Sequence, residues 1–413
     1  MKLLHLADLH FGKMLHGVSL LENGDQKDWV GKLLRLVSEQ RPDAVVIAGD
    51  VYDRAMPSGG AMQLLSHMVT GITDLQIPVL ITAGNHDSGQ RISCFRDILE
   101  RQNVHISGVL QRTLTHVALQ DAYGPVTIWL LPYVFPAAVA QVLGDETIRD
   151  YDSAVRRILA EQSIDFSQRN VIVAHQNVTK GGVEGIRGGS ESVVGGVGQV
   201  DFTAFDRFDY VALGHIHAAY PVGRDAVRYA GSPMCYHFDE LRQPAKGPLM
   251  VELREKGAEP KIDLLTIPPL HPMRELRGTY DEIVEKASNS GRGEYVKIVL
   301  TDRAMTPEIS MYFEAFFQAQ GSVLMERTSE FRRFSGRSQS PELRELERRR
   351  VEDLFEEFYT ERSGVEPSAG DLAVMHYAAE LLRNSDPGAD GKTVDPSLTD
   401  QVLAFLAGEE VRG

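Results

Sequence analysis

The chain has 413 residues, 43% of them hydrophobic and 24% charged, an ordinary globular composition that is long enough for two or three domains. Its formal charge of −15 argues against binding nucleic acid through overall charge, though not against a local basic groove or binding through metal ions and a partner. No run of 18 or more apolar residues suggests a membrane span, and MKLLHLADLH is too short and too polar for a secretory signal, so a cytoplasmic protein is expected. Cys94 and Cys235 lie far apart without CxxC spacing, which excludes a thiolate zinc site and leaves no disulfide expected in a reducing compartment.

In chain order, residues 1 to about 265 alternate short β-branched apolar runs with helical patterns, as in a layered α/β domain. The runs are Leu3–Ala7, Ala44–Ala48, Val79–Ala83, Val171–Ala174 and Tyr210–Leu213, each the length of a buried strand. Between them, Asp28–Gln40 and Ala61–Leu75 place apolar residues at helical spacing. Residues 178–200 are glycine-rich and polar and read as a surface loop, because the GxxxxGK[ST] phosphate-loop pattern is absent. IPPLHP at Ile267–Pro272 marks a boundary. Beyond it, EYVKIVLTD, SMYFEAFFQAQ and GSVLMERT suggest a small strand–helix–strand module. From Pro341, the residues Leu343, Leu346, Val351, Leu354, Phe355 and Phe358 share one face of a charged amphipathic helix. Short helical patterns at Leu372–Leu382 and Leu398–Leu406 follow, with a linker at Asn384–Thr393. The expected domains are 1–266, 273–335 and 341–413.

Each of the five apolar runs ends in chemically useful residues. They are Asp8-Leu9-His10, Gly49-Asp50 through Asp53, Gly84-Asn85-His86-Asp87, His175, and Gly214-His215-Ile216-His217. Ligand sites of α/β sheets collect beyond the carboxyl ends of strands, so these clusters can converge there. Glycines at 49, 84 and 214 let the chain turn beside a crowded site. A mixed oxygen and nitrogen donor set suits Mn²⁺, Fe²⁺ or Zn²⁺ better than Mg²⁺ or Ca²⁺. A single strand-end Asp or His is most often a turn or capping residue; five in one ordered series are not explained that way. Asp53 reads as a capping residue or a supporting carboxylate. The other eight histidines match no metal motif, with His16 and His237 as possible substrate-side exceptions.

The ordered series DxH, GDxxD, GNHD, a strand-terminal His and GHxH, spread over residues 8 to 217, resembles the calcineurin-like metallophosphoesterase superfamily. The resemblance implies a four-layer αββα sandwich, two sheets between helices, with two divalent metal ions. Asp8, His10, Asp50 and His217 would hold one ion; Asp50, Asn85, His175 and His215 would hold the other, Asp50 bridging. A water or hydroxide between the ions would be the nucleophile. His86 would face the scissile phosphate and help the leaving oxygen depart, and Asp87 would orient His86.

KLLHLADLHFGK, GDVYDRAMPS, GHIHAAYPV and YAGSPMCYHFDE resemble, more narrowly, the SbcD family of double-strand-break repair nucleases. That implies a manganese-dependent DNA exonuclease and hairpin endonuclease. It also implies a small α/β cap, a C-terminal helical arm gripping an SbcC-like coiled-coil ATPase, and a homodimer. Arg332, Arg333, Arg337, Arg344 and Arg348 to Arg350 read as a solvated helix face ahead of direct DNA contacts. Other readings stay open: a cyclic-nucleotide or small phosphodiesterase, a protein phosphatase, or chiefly a structural clamp on the ATPase. Removing residues 341–413 separates enzyme from clamp. Hydrolysis with metal ions alone should persist while co-purification with the ATPase is lost; loss of hydrolysis in a folded truncation would count against a self-sufficient catalytic domain.

Overall fold

The computed structural model describes residues 1–182, 198–243, 245–288 and 291–331, together with Pro367, Ser368 and Leu372. The principal elements of the first part are, in chain order, β1 (Lys2–Leu6), α1 (Asp25–Gln40), β2 (Ala44–Ala48), α2 (Gly59–Thr73), β3 (Val79–Thr82), β4 (Val104–Ser107), β5 (Thr115–Asp121) and β6 (Gly124–Leu131). They continue with α3 (Pro136–Leu143), α4 (Tyr151–Ala160), β7 (Arg169–His175), β8 (Tyr210–Gly214), β9 (Pro221–Val222), β10 (Arg224–Tyr229), β11 (Leu249–Glu252) and β12 (Lys261–Leu264). The five apolar runs of the sequence are β1, β2, β3, β7 and β8. Helix α2 starts two residues before its apolar pattern because the Ser58 hydroxyl caps it, accepting from the Ala61 N–H at 3.2 Å.

Two six-stranded sheets form, in the orders β12-β11-β1-β2-β3-β4 and β9-β10-β8-β7-β6-β5. β1 to β4 run parallel, as do β6, β7, β8 and β10. Side chains alternate faces along a strand, and that alternation builds the layers. Leu3, Val46 and Leu80 pack against Ile128, Val171, Val173 and Ala212 between the sheets. Leu4, Val45, Ile47 and Ile81 face Trp29 and Leu33 of α1 and Leu64 and Met68 of α2. On the opposite outer face, Ile172, Val211 and Leu213 meet Val139 of α3 and Val155 and Ile158 of α4. Helix, sheet, sheet, helix is the four-layer arrangement expected. Every side chain of β2 is buried, which is why that strand reads as a continuous apolar run rather than an alternating one.

The second part is β13 (Met273–Gly278), α5 (Tyr280–Ser288), β14 (Tyr295–Leu300), α6 (Pro307–Ala319) and β15 (Val323–Ser329), a parallel sheet in the order β13-β14-β15. Its core is built from Leu276, Ile283, Val296, Ile298, Phe313 and Phe317. The sequence shows only its last strand–helix–strand. The earlier pair escapes notice because β13 buries only Leu276 and Gly278, and α5 only Ile283 and Ala287, too few for a clear period. Of the glycine-rich segment, Asn177–Thr179 and Gln199–Asp201 pair as parallel strands, and 183–197 lie outside the described residues. So do the amphipathic helix from Pro341, the arginines from Arg332 onward and, apart from Leu372, the expected terminal helices. Among the described residues no helix is long and apolar enough to cross a membrane.

Residues 1–331 form one compact unit, and a buried carboxylate joins its two parts. Asp25, in the first turn of α1, accepts a hydrogen bond from the Tyr295 hydroxyl at 2.6 Å and lies 2.9 Å from His271 Nδ1. The Asn23 side chain donates to the same hydroxyl at 2.6 Å. Substituting Tyr295→Phe leaves the buried Asp25 oxygen without that donor and should cost about 1–3 kcal/mol. A urea unfolding midpoint unchanged from wild type would show that this contact does not hold the parts together.

Candidate active site

The carboxyl ends of β1, β2 and β3 in one sheet and of β7 and β8 in the other meet at one seam, tied by backbone bonds. Asp8 N–H donates to Gly49 O at 3.1 Å and His10 N–H to Asp50 O at 2.9 Å. His215 N–H donates to Asp8 Oδ1 at 2.9 Å, bridging the sheets. Gly49 makes a turn at φ 79°, whereas Gly84 and Gly214 are required for closeness rather than for turning. A Cβ on Gly214 would overlap the Ala48 carbonyl oxygen, and one on Gly84 would overlap the Asp50 carboxylate. Asp8, His10, Asp50 and His215 all sit at positive φ, at 53°, 43°, 49° and 103°. Such backbone is uncommon for residues with side chains and is held only by its surroundings.

On one side of the site, the ligand atoms of Asp8, His10 and His217 lie within 4.8 Å of one another. His10 Nε2 and His217 Nε2 face each other at 3.2 Å, and His10 Nε2 is 3.7 Å from Asp50 Oδ2. Asp8 Oδ2 is buried and has no hydrogen-bond partner among the described residues. Burial raises the Asp8 carboxyl to about 6 and drives His10 well below the usual imidazole range.

On the other side, Asp8, Asp50 and His175 form a second such group. His175 Nδ1–H donates to Ala48 O at 2.8 Å, which aims Nε2 at Asp50 Oδ2, 3.3 Å away, and at Asn85 Oδ1, 3.1 Å away. His215 Nδ1 is also 3.1 Å from Asn85 Oδ1. A carboxylate oxygen, an amide oxygen and an imidazole nitrogen thus converge, and only a positive charge reconciles them. With protein groups alone, that charge falls on His175. Burial opposes its protonation, but the Asp50 carboxylate outweighs burial and raises its pKa to about 9. Burial opposes ionisation of Asp50 as well, yet His175 holds its carboxyl well below the usual range. In His215, burial lowers the pKa to about 3. This donor set, with its orphaned carboxylate oxygen, fits divalent cations.

His86 stands at the rim, its side chain 41% exposed. Its backbone N–H donates to Asp50 Oδ1 at 2.9 Å, and its Nδ1–H donates to the Asp53 carbonyl at 3.0 Å. That leaves Nε2 turned to the site, 4.0 Å from Asp50 Oδ2. His86 also falls within ligand range of His10 and Asp50. Asp87 does not orient His86, contrary to expectation. Its carboxylate accepts from three backbone N–H groups, of Val51 at 3.1 Å, Tyr52 at 2.9 Å and Gly84 at 2.9 Å, clamping the turns after β2 and β3 together. Burial raises its carboxyl to about 6. The orienting group is Asp53, through its backbone, while the Asp53 side chain pairs with Lys13 at 2.8 Å. His237 accepts from the Asp239 N–H as a helix cap, and His16 lies 3.9 Å from Glu326.

Sequence reading missed Glu240 and Lys246. Glu240, buried, lies 3.1 Å from His217 Nδ1 and accepts from Lys246 Nζ at 2.8 Å and Ser232 Oγ at 3.1 Å. A carboxylate can only accept, so Nδ1 carries the proton and Nε2 of His217 keeps its lone pair toward the site. Burial opposes ionisation of Glu240, but the His217 and Lys246 contacts hold its pKa at about 2. The hint was available in the YHFDE segment, yet nothing in it says which histidine the Glu meets.

Residues 1–219 match the family model of calcineurin-like phosphoesterases. Residues 269–363 match the model described as type 5 capsule protein repressor C-terminal domain. Among curated proteins, the SbcD subunit of nuclease SbcCD from Staphylococcus saprophyticus is 30% identical over 328 residues, 77% of this chain and 82% of that protein. Its namesake from Staphylococcus epidermidis is 30% identical over 315 residues, 73% of this chain and 79% of that protein. Among solved structures, the phosphopantetheinyl hydrolase of Mycobacterium tuberculosis aligns with 59% of this chain and 92% of its own at 16% identity, with a TM-score of 0.34, too low to bear on fold or function. The family model covers the seam where the five strand ends meet, and with these relatives it shows that the chain belongs to the calcineurin-like phosphoesterases and, within them, to the SbcD family of nuclease subunits.

Proposed function

We propose that this chain hydrolyses DNA phosphodiesters as the nuclease subunit of a complex with an SbcC-like ATPase, trimming duplex ends and opening hairpins. The observation that carries the reading is the convergence of buried Asp8, His10, Asp50, His175 and His217 with the more exposed Asn85 and His215 on one seam, with Asp8 Oδ2 lacking any partner among the described residues. Asp8, His10, Asp50 and His217 would hold one divalent cation, and Asp50, Asn85, His175 and His215 the other, manganese by family resemblance. Bound there, the two cations supply positive charge to the phosphate oxygens and acidity to the attacking water.

The chain's own residues do the rest. Asp8 and Asp50 are held by backbone N–H groups on one oxygen each, which leaves the second oxygen directed inward. His86, with Nδ1–H fixed on the Asp53 carbonyl, presents Nε2 to the leaving oxygen and donates a proton as the P–O bond breaks. The neutral imidazole that remains keeps its Nδ1 proton, so the hydrogen bond to Asp53 survives the step. Residues 273–335 act as a cap over the DNA groove and 341–413 as the arm that binds the ATPase. The protein works as a homodimer in the cytoplasm, on the nucleoid. Exposed Phe95, Ile98 and Val109, which line one surface depression, are available for pairing.

Two measurements test this. With Mn²⁺ and a labelled DNA hairpin, wild type should cleave, and His86→Ala should lose on the order of 10²–10⁴-fold in rate while still binding metal. If wild type spares DNA even with the ATPase and ATP, yet turns over a small phosphodiester, the DNA assignment falls. Replacing Glu240→Gln removes the charge that fixes His217 and should weaken Mn²⁺ binding by roughly 10–100-fold in calorimetric titration; unaltered affinity in a folded variant would show that Glu240 has no part in the metal site.

A further inference from the structure

An aromatic cluster borders the site on the side of His175 and His215. Tyr133 and Phe135 lie in the short segment after β6, and Tyr151 is the first residue of α4. Tyr133 is pinned by its N–H, which donates to Ala83 O at 2.8 Å at the end of β3. Its ring centroid is 6.1 Å from that of His175 and 6.2 Å from that of His215. Phe135 meets Tyr133 edge-on at 5.0 Å, and Tyr151 lies 6.3 Å from Tyr133 and 6.4 Å from Phe135.

Phe135 is 54% exposed, although an aromatic side chain removes much apolar surface from water when it is covered. The metal and acid roles proposed above make no use of any of the three rings. An acidic chain, at −15, also gains little from phosphate attraction, the usual source of affinity for nucleic acid. Base stacking on aromatic rings is indifferent to net charge and tolerant of sequence.

Resting on the nuclease reading above, we infer that Tyr133, Phe135 and Tyr151 form a stacking platform for an unpaired nucleobase next to the scissile phosphate. The platform adds affinity that does not depend on charge, and it favours frayed ends and hairpin loops, whose bases are free to leave the helix, over the interior of a duplex. Phe135 is the outermost ring and makes the principal contact with the base. Tyr133 fixes the height of the platform relative to the histidines through its bond to Ala83.

The test uses the full chain with Mn²⁺ and two single-stranded oligonucleotides, one normal and one with abasic residues throughout its central stretch. Phe135→Ala should raise KM for the normal strand by about 5- to 150-fold, the equivalent of one lost stack, with kcat within about twofold. On the abasic strand, wild type and variant should coincide, because no base is there to stack. Phe135→Trp should restore KM, and the dependence of binding on salt should keep its slope in every variant, since no phosphate contact changes. Equal KM for wild type and Phe135→Ala on the normal strand would overturn the platform, as would an equal loss on both strands. A wild type inactive on both strands, with the ATPase and ATP added as well, would sink the nuclease reading and the platform with it. Because Phe135 is largely in solvent, a variant that fails to fold is not expected; circular dichroism and Mn²⁺ titration of each variant establish that the site is intact.

Discussion

Asp8 and Asp50 are buried carboxylates within one cluster at the seam of two sheets, and the cost of burying charge without compensation governs everything near them. An ionised carboxylate taken out of water loses several kcal/mol unless hydrogen bonds and opposite charge restore it. Backbone N–H groups satisfy one oxygen of each: His215 N–H for Asp8 and His86 N–H for Asp50. These bonds in turn place the loops that carry His86 and His215, so the same interactions that offset the burial also assemble the site. What the backbone cannot satisfy, the second oxygens facing the imidazoles, calls for positive charge.

The surrounding structure makes that arrangement rigid. Asp87 ties the turns after β2 and β3 through three N–H groups, and Glu240 with Lys246 braces His217 from behind. Lys246 also donates to the His217 carbonyl at 2.6 Å, so ring and backbone of one residue are held by one buried ion pair. Positive φ at four site residues is tolerated because so many bonds over-determine those positions. Gly84 and Gly214 complete the constraint by allowing two strands to approach more closely than any side chain permits.

Function divides along the rim of the seam. Within it, Asp8, His10, Asp50, His175 and His217 are buried and fixed, and one Asp8 oxygen is left without a partner among the described residues. Outside it, His86 and Phe135 are exposed, as the roles proposed for them require. The second part of residues 1–331 is anchored to the first turn of α1 through Asp25 and Tyr295. The −15 charge is compatible with a nucleic-acid substrate when recognition rests on metal, stacking and a partner instead of a broad basic surface.

Much of this was legible in the sequence, because the residues that line the seam follow directly on strands whose β-branched runs announce themselves. Val79–Thr82 before Gly84-Asn85-His86-Asp87 is one such case, and Tyr210–Gly214 before His215 is another. A residue's position at a strand end is a local property, and local properties are written in order along the chain. Partnership is not. That Asp87 serves three backbone amides and not His86, that Asp53 holds His86 by its carbonyl, and that Glu240 reaches His217 across 23 residues depend on side-chain directions within a packed seam. The weakly patterned β13 and α5 were likewise invisible until the sheet they complete was seen. Hydrophobic period and strand-end chemistry determined the strands and the donor set, and the family resemblance implied the four layers. Only the tertiary structure decided which donor meets which acceptor, because hydrogen bonds are short and directional, and a one-dimensional pattern carries neither distance nor direction.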